Sequence, residues 1–190
     1  MGHTDVPLDR VGISQAERLP EILSSRQPTA IYTSPLSRAR MTAEIIGDHL
    51  DIGIRRDDRL CEVNMGELTG LNWTEVEQRF PSFARAREAD PARTRRPGGE
   101  SDQDLQDRSV AAFDDIIKTC PGKVVVVVTH GGTLKALLAH LLSMPLGDKW
   151  RLRVDNGSLS VLRQTHRGWE LELLNYTAHL QGVNPVPPVD

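Results

Sequence analysis

In Val124–Thr133, VVVVVTHGGT, five β-branched residues run without polar alternation and lead straight into a histidine and two glycines. Such a run fits a strand buried on both faces, as in a parallel sheet. Leu134, Leu137, Leu138, Leu141 and Leu142 follow at helical spacing, so the histidine stands at a strand-to-helix junction. In open parallel sheets, chemistry gathers at the carboxyl ends of the strands. Gly131 and Gly132 let a ligand approach the backbone, and a helix start favours an anion. An imidazole beside a phosphate is one reading of His130. A histidine capping a strand and bonded to the backbone is the other.

Working outward, residues 12–26 predict a helix carrying Ala16, Leu19, Ile22 and Leu23, with a kink at Pro20. TAIYTS, 29–34, predicts a short buried strand. PLSRARMTAEIIGDHL predicts a helix, with Pro35 in its first turn and Ala39, Ala43, Ile46 and Leu50 on one face. A short strand over 53–57, a short helix opening near Asn72, a long helix over 101–119 and a hairpin turning near Arg167-Gly168 complete the pattern. Strands alternating with helices indicate an α/β fold in three layers, a mainly parallel sheet with helices on both faces. The stretch 89–101, ADPARTRRPGGES, reads as a surface loop within one domain spanning 1–182, and 183–190 as a Pro-rich tail that is poorly ordered.

Composition narrows the function. The chain of 190 residues suits one compact domain, and 26 acidic against 23 basic residues give a net charge of −3. That balance exerts no general pull toward nucleic acid or membrane. No apolar run approaches the roughly 20 residues of a membrane span, and MGHTDVPLDR lacks a signal-peptide core. Cys61 and Cys120 are too few for a disulfide framework. A cytoplasmic protein is expected.

Two further segments carry chemistry. Arg38 and Arg40 occupy the first turns after the strand 29–34, and arginine offers phosphate a planar fork of donors. Residues two apart point in different directions, so one of the pair is expected to be solvated. Glu62 sits among Cys61, Val63, Met65 and Gly66, surroundings that suit a general acid. On local sequence alone, pairing with Arg59 is the favoured alternative.

Together these segments resemble the histidine phosphatase superfamily, in its phosphoglycerate mutase-like branch. YTSPLSRARMTAEII matches the signature S-P-L-x-R-A-x-x-T-A, and VVVVVTHGGTLKAL matches the second-histidine motif. LCEVNMGELTGL is similar to the segment bearing the acid glutamate, RPGGES to the loop before the long helix, and VDNGSLSVL to the closing strand. GHTDVPLDRVGISQAERL resembles the first helix and its lead-in. The family also has an opening strand ending in R-H-G, whose histidine is the nucleophile. No R-H-G occurs in this sequence, so the first strand is expected to be missing and turnover by the chain as given impaired. A truncated reading frame is the simplest explanation, a shortened relative the rival. His3 lies near the right part of the chain but lacks the strand context. The missing strand is expected to leave Val124–Val128 and Ala30–Tyr32 without a shared neighbour. Each buried unpaired backbone group costs about 1–3 kcal/mol, leaving a lone chain marginal unless its strands re-pair or another chain supplies the missing one.

The resemblance implies that Arg38 binds the transferring phosphate, that His130 donates a hydrogen bond to it, and that Gly131 and Gly2 contribute to the binding surface. It implies that Glu62 protonates the leaving oxygen and later activates water. No cofactor or metal is implied; the partner is a small phosphorylated metabolite, and a homodimer is possible. Arg93, Arg95 and Arg96 either border the substrate or form a solvated charge run. The short connection between the glutamate segment and the long helix favours a phosphatase with a phosphohistidine intermediate over a mutase. A non-catalytic phosphate-binding relative is the rival from another class. An α/β-hydrolase, which HGGT also evokes, would need G-x-S-x-G, and none is present. An interaction role through an open sheet edge is a further alternative.

Overall fold

The computed structural model describes residues 2–183. The expected Pro-rich tail lies almost wholly outside them. β1 (Ala30–Thr33) is the central strand of a three-stranded parallel sheet, flanked by β2 (Ile54–Arg56) and β3 (Val125–Val128). β4 (Leu159–Thr165) and β5 (Gly168–Tyr176) form a separate antiparallel hairpin.

β1 and β3 were expected to flank an absent strand, yet they pair directly, Ala30 with Val125 through Thr33 with Val128. Their ladder groups therefore satisfy one another, and no orphaned pair lies between them. The free side of the valine strand is the opposite one, because among the described residues β3 pairs with β1 alone. This placement explains its exposure. All four β1 residues are buried, whereas Val125–Val128 are half-buried and Val124 is 45 % exposed.

Both faces of β3 are nonetheless used. Val126 and Val128 pack on a cluster of Leu19, Leu23, Ile31, Ala43 and Ile46, contributed by α2 (Leu19–Ser24), β1 and α3 (Ser37–Leu50). Val125 and Val127 pack on the other side against Tyr32, Leu60, Ala112 and Ile116. Ala112 and Ile116 belong to α6 (Asp102–Thr119). Helices thus cover both faces, the three-layer arrangement expected from the uninterrupted valines. Phe113 on α6 meets Trp169 on β5 edge-to-face at 4.8 Å, which ties the hairpin to the same helix.

The predicted helix over 12–26 is two, α1 (Arg10–Ala16) and α2, because Pro20 opens the second one rather than kinking a single rod. Asn72 caps α4 (Trp73–Arg79) with a reciprocal capping box, and Ser101 caps α6 the same way with Asp104. α5 (Pro81–Ala89), with Pro81 in its first turn, was not anticipated. α7 (Gly131–Leu141) follows β3 and packs Ala136 and Ala139 against Leu105 of α6. Among the described residues, no helix is long and apolar enough to cross a membrane.

Candidate active site

His130 ends the β3 segment as the N-cap of α7 and is 9 % exposed. Its Nε2 lies 2.8 Å from the Ser34 hydroxyl, just past the end of neighbouring β1. The backbone-bonded alternative for His130 is therefore not what the fold adopts. Ser34 is fully buried, accepts from the Leu36 N–H at 3.2 Å and donates to the Cys61 Sγ at 3.6 Å. Burial pushes the imidazole from its ordinary 6.5 down to about 4; Glu62 opposes this, while Arg38, Arg108 and His3 add to it. His130 is neutral at pH 7.

Glu62 does not pair with Arg59. That arginine is engaged by Asp57 at 2.7 Å and Asp115 at 2.7 Å. The Glu62 carboxylate instead accepts from the Val63 N–H at 2.8 Å and the Gly132 N–H at 3.0 Å. The Thr133 hydroxyl lies 3.4 Å away while donating to the Cys61 carbonyl at 2.8 Å. A β-carbon on Gly132 would fall where the Glu62 carboxylate lies, so a side chain there would push the acid off its bond to the Gly132 backbone.

Arg38 holds the N-terminal segment, donating to the Gly2 carbonyl at 2.8 Å and the Thr4 carbonyl at 2.9 Å. A guanidinium has five N–H donors, so this leaves part of the fork free. Gly2 is buried with φ +48°, and a side chain there would meet Met65 and the Val63 carbonyl. Arg38 and Gly2 thus sit beside the Glu62 loop. Arg40 is half-buried and bonded to Glu44 on the same helix at 2.7 Å, so neither arginine of the pair is free in solvent. Gly131 opens α7 with open space around its Cα.

Sequence reasoning missed two organising residues. Arg108 donates to the carbonyls of Arg59, Cys61 and Glu62 at 2.7–2.9 Å and binds Glu100 through two of its nitrogens. It thereby fixes the backbone that presents Glu62. Its signal was an arginine on the apolar side of α6, between Leu105 and Ala112. Ser34 was visible inside the S-P-L signature, but its contact with His130 joins two strand ends 96 residues apart.

The arginine loop divides. Arg93 is exposed, and Arg95 reaches Asp104 at 3.0 Å from the surface. Arg96 departs from the solvated reading: it is 6 % exposed and bound to Asp102 at 2.7 Å.

The adjacent strand ends of the parallel sheet bring together a serine, a neutral histidine, an arginine and a carboxylate beside a helix start, surroundings that favour an anion. The comparison with known families makes this specific: residues 1–177 match the model of the histidine phosphatase superfamily, branch 1, and the chain belongs to that family. It is 31 % identical over 179 residues to phosphoserine phosphatase 1 of Hydrogenobacter thermophilus, covering 94 % of this chain and 85 % of the relative. It is 33 % identical over 184 residues to a probable phosphoglycerate mutase of Yersinia pestis, covering 94 % and 86 %. Among solved structures, YhfR of Bacillus stearothermophilus superposes with a TM-score of 0.85 at 29 % identity, covering 95 % of this chain and 90 % of that one. A mycobacterial glucosyl-3-phosphoglycerate phosphatase gives 0.78 at 31 % identity, covering 92 % and 90 %.

Proposed function

We propose that the protein hydrolyses small phosphomonoesters without a metal. Arg38 and His130 hold the phosphoryl group, with Gly2 and the Gly131 N–H beside it, and Glu62 passes a proton to the leaving oxygen. The observation that carries this reading is the 3.0 Å bond from the Gly132 N–H to Glu62, which brings that carboxyl group to the start of α7, beside the strand end that His130 caps. Fixed donors around a transferring phosphoryl group are the main source of catalysis in this chemistry. Relatives named as phosphatases support water, rather than a second alcohol, as acceptor. The short connection from the Glu62 loop to α6 supports the same choice.

A phosphohistidine intermediate needs an unprotonated imidazole facing phosphorus. His130 is neutral but its Nε2 is engaged with Ser34, so we assign it to binding the phosphoryl group. His3, the other histidine whose charge His130 senses, is the position at which to test for a nucleophile within this chain.

The test is hydrolysis of an aryl phosphate, together with vanadate binding, by the wild-type chain and by His130→Ala and His3→Ala. Turnover lost in His130→Ala supports the phosphatase reading, and a phosphoenzyme trapped in the wild type but not in His3→Ala identifies the nucleophile. Vanadate binding without turnover establishes the phosphate-binding alternative. A folded protein that neither binds nor turns over overturns both.

A further inference from the structure

The buried Ser34 hydroxyl meets Cys61, Leu36 and His130, and it has one proton to give. It donates that proton to the Cys61 Sγ at 3.6 Å and accepts from the Leu36 N–H at 3.2 Å. A hydroxyl has one donor and two acceptor sites, so what remains toward His130 is a lone pair. The His130 Nε2, 2.8 Å away, therefore carries a hydrogen and donates it to Ser34. A neutral imidazole has a single N–H, so the Nδ1 of His130 is left as a lone pair.

Among the described residues Nδ1 makes no hydrogen bond, yet it is not sealed in; the unpartnered side-chain nitrogen closed off from solvent is that of His179. Nδ1 is thus the atom of His130 left to meet a phosphoryl oxygen. The oxygens of an ester dianion are acceptors only, and a lone pair facing them repels. The contact becomes attractive when a proton lies between Nδ1 and the oxygen. Glu62, from its loop, favours a charge on the imidazole, while Arg38 on α3, Arg108 on α6 and His3 before α1 oppose it. In the free chain burial adds to these cations and His130 is neutral. A phosphoryl dianion against Nδ1, in a site of low dielectric, reverses the balance.

We propose that Ser34, with the Cys61 thiol as its acceptor, is a positioning residue that fixes His130 with its hydrogen on Nε2, so that a phosphoryl dianion binds only together with one proton held between Nδ1 and a phosphoryl oxygen. This rests on the phosphate-site reading above and adds how that site responds to pH. The proton comes from solvent or arrives on the ester as its monoanion; counted against the dianion, it is one in both cases. Affinity is expected to fall about tenfold per pH unit once the pH exceeds the second ionisation of the ester, at about 6. Ser34 touches no substrate and acts through His130. Without Cys61, the Ser34 proton has the His130 Nε2 as its acceptor, and the imidazole hydrogen moves to Nδ1.

The test joins a nitrogen spectrum to a proton count. Two-bond ¹H–¹⁵N spectra of the free protein, with His130 assigned through His130→Gln, are expected to place the hydrogen on Nε2 in the wild type and on Nδ1 in Cys61→Ala. Calorimetry with difluoromethylphosphonate, a dianion that water does not split, is run at about pH 8 in buffers of differing ionisation enthalpy. It should show uptake of about one proton per anion in the wild type and almost none in Cys61→Ala. That variant should also bind the dianion at least about tenfold tighter at this pH, an effect that lost packing does not produce. Cys61→Ser, which keeps an acceptor in place, should restore the wild-type uptake. A hydrogen on Nδ1 in the wild type overturns the proposal whether or not the variants fold. So does an unchanged spectrum in folded Cys61→Ala, or binding without uptake; if Arg38→Ala still abolishes binding, the phosphate site stands. Uptake kept in Cys61→Ala but lost in Glu62→Gln assigns the proton to the acid and overturns the proposal as well. Binding indifferent to Arg38→Ala overturns the phosphate-site reading and the proton coupling with it.

Discussion

At the scale of single residues, Gly132 and Glu62 form one unit. The carboxylate takes the N–H of Gly132 and fills the space a side chain would need. Gly132→Ala must displace Glu62 from its bond. We expect turnover of an aryl phosphate to fall by about 100-fold, within the usual range for losing a positioned proton-transfer group, with little change in vanadate affinity. A steady-state assay beside vanadate titration checks both halves. Glu62 itself was legible in the sequence as a candidate. Its partner was not, because a local reading sees Arg59 three residues away and cannot see a glycine 70 residues on. Arg38 likewise carries a role that no motif displayed, bonding two carbonyls of the segment that leads into α1. Arg38→Ala is expected to abolish vanadate binding and also to raise amide exchange over residues 2–9, readable by mass spectrometry after deuteration.

At the scale of elements, the Glu62 loop and the loop before α6 interlock through glycines. Gly66 has φ +53°, and a β-carbon there would strike the Pro97 carbonyl, Gly98 and Gly99. Gly66→Ala should destabilise the fold by more than the ~1–2 kcal/mol of the left-handed backbone alone, measurable as a lowered urea midpoint at unchanged slope. The α6 cap is milder. Ser101 accepts from the Asp104 N–H at 3.1 Å and donates to its carboxylate, so Ser101→Ala should cost about 1 kcal/mol. The start of α6 was readable because capping is local chemistry, one side chain and a backbone three residues on. The same holds for Asn72 and α4. The break between α1 and α2 was half-readable: Pro20 marked the place, but whether proline kinks one helix or opens another depends on the packing of Leu19 and Leu23.

At the scale of the whole molecule, the buried imidazole couples the site to global stability. His130 is held at about 4 in the folded chain against an ordinary 6.5. Between those values the unfolded chain binds a proton that the folded chain refuses, so stability is complete above pH 6.5 and falls as the pH drops toward 4. The loss amounts to about 3 kcal/mol. Urea midpoints measured from pH 7 down to pH 4 should fall steeply in the wild type and less steeply in His130→Gln. An equal slope in both would mean that His130 accepts its proton without cost in the folded state.

The sequence alone determined the parallel sheet, its helical cover and the identity of the groups at its strand ends, because these follow from β-branched runs, helical spacing and capping chemistry within short windows. It placed Arg38, Glu62 and His130 as candidates on three separate segments. Only the tertiary structure decided that β1 pairs directly with β3, leaving the free edge of the valine strand on the far side. Strand order depends on which neighbours bury most surface together, and a strand's own composition does not encode its partner. The same reason hid Ser34 beside His130 and the cations around Asp102. A charge in a sequence reads as a solvated charge until packing removes the water, and at Arg96, Asp102 and Lys149 packing does.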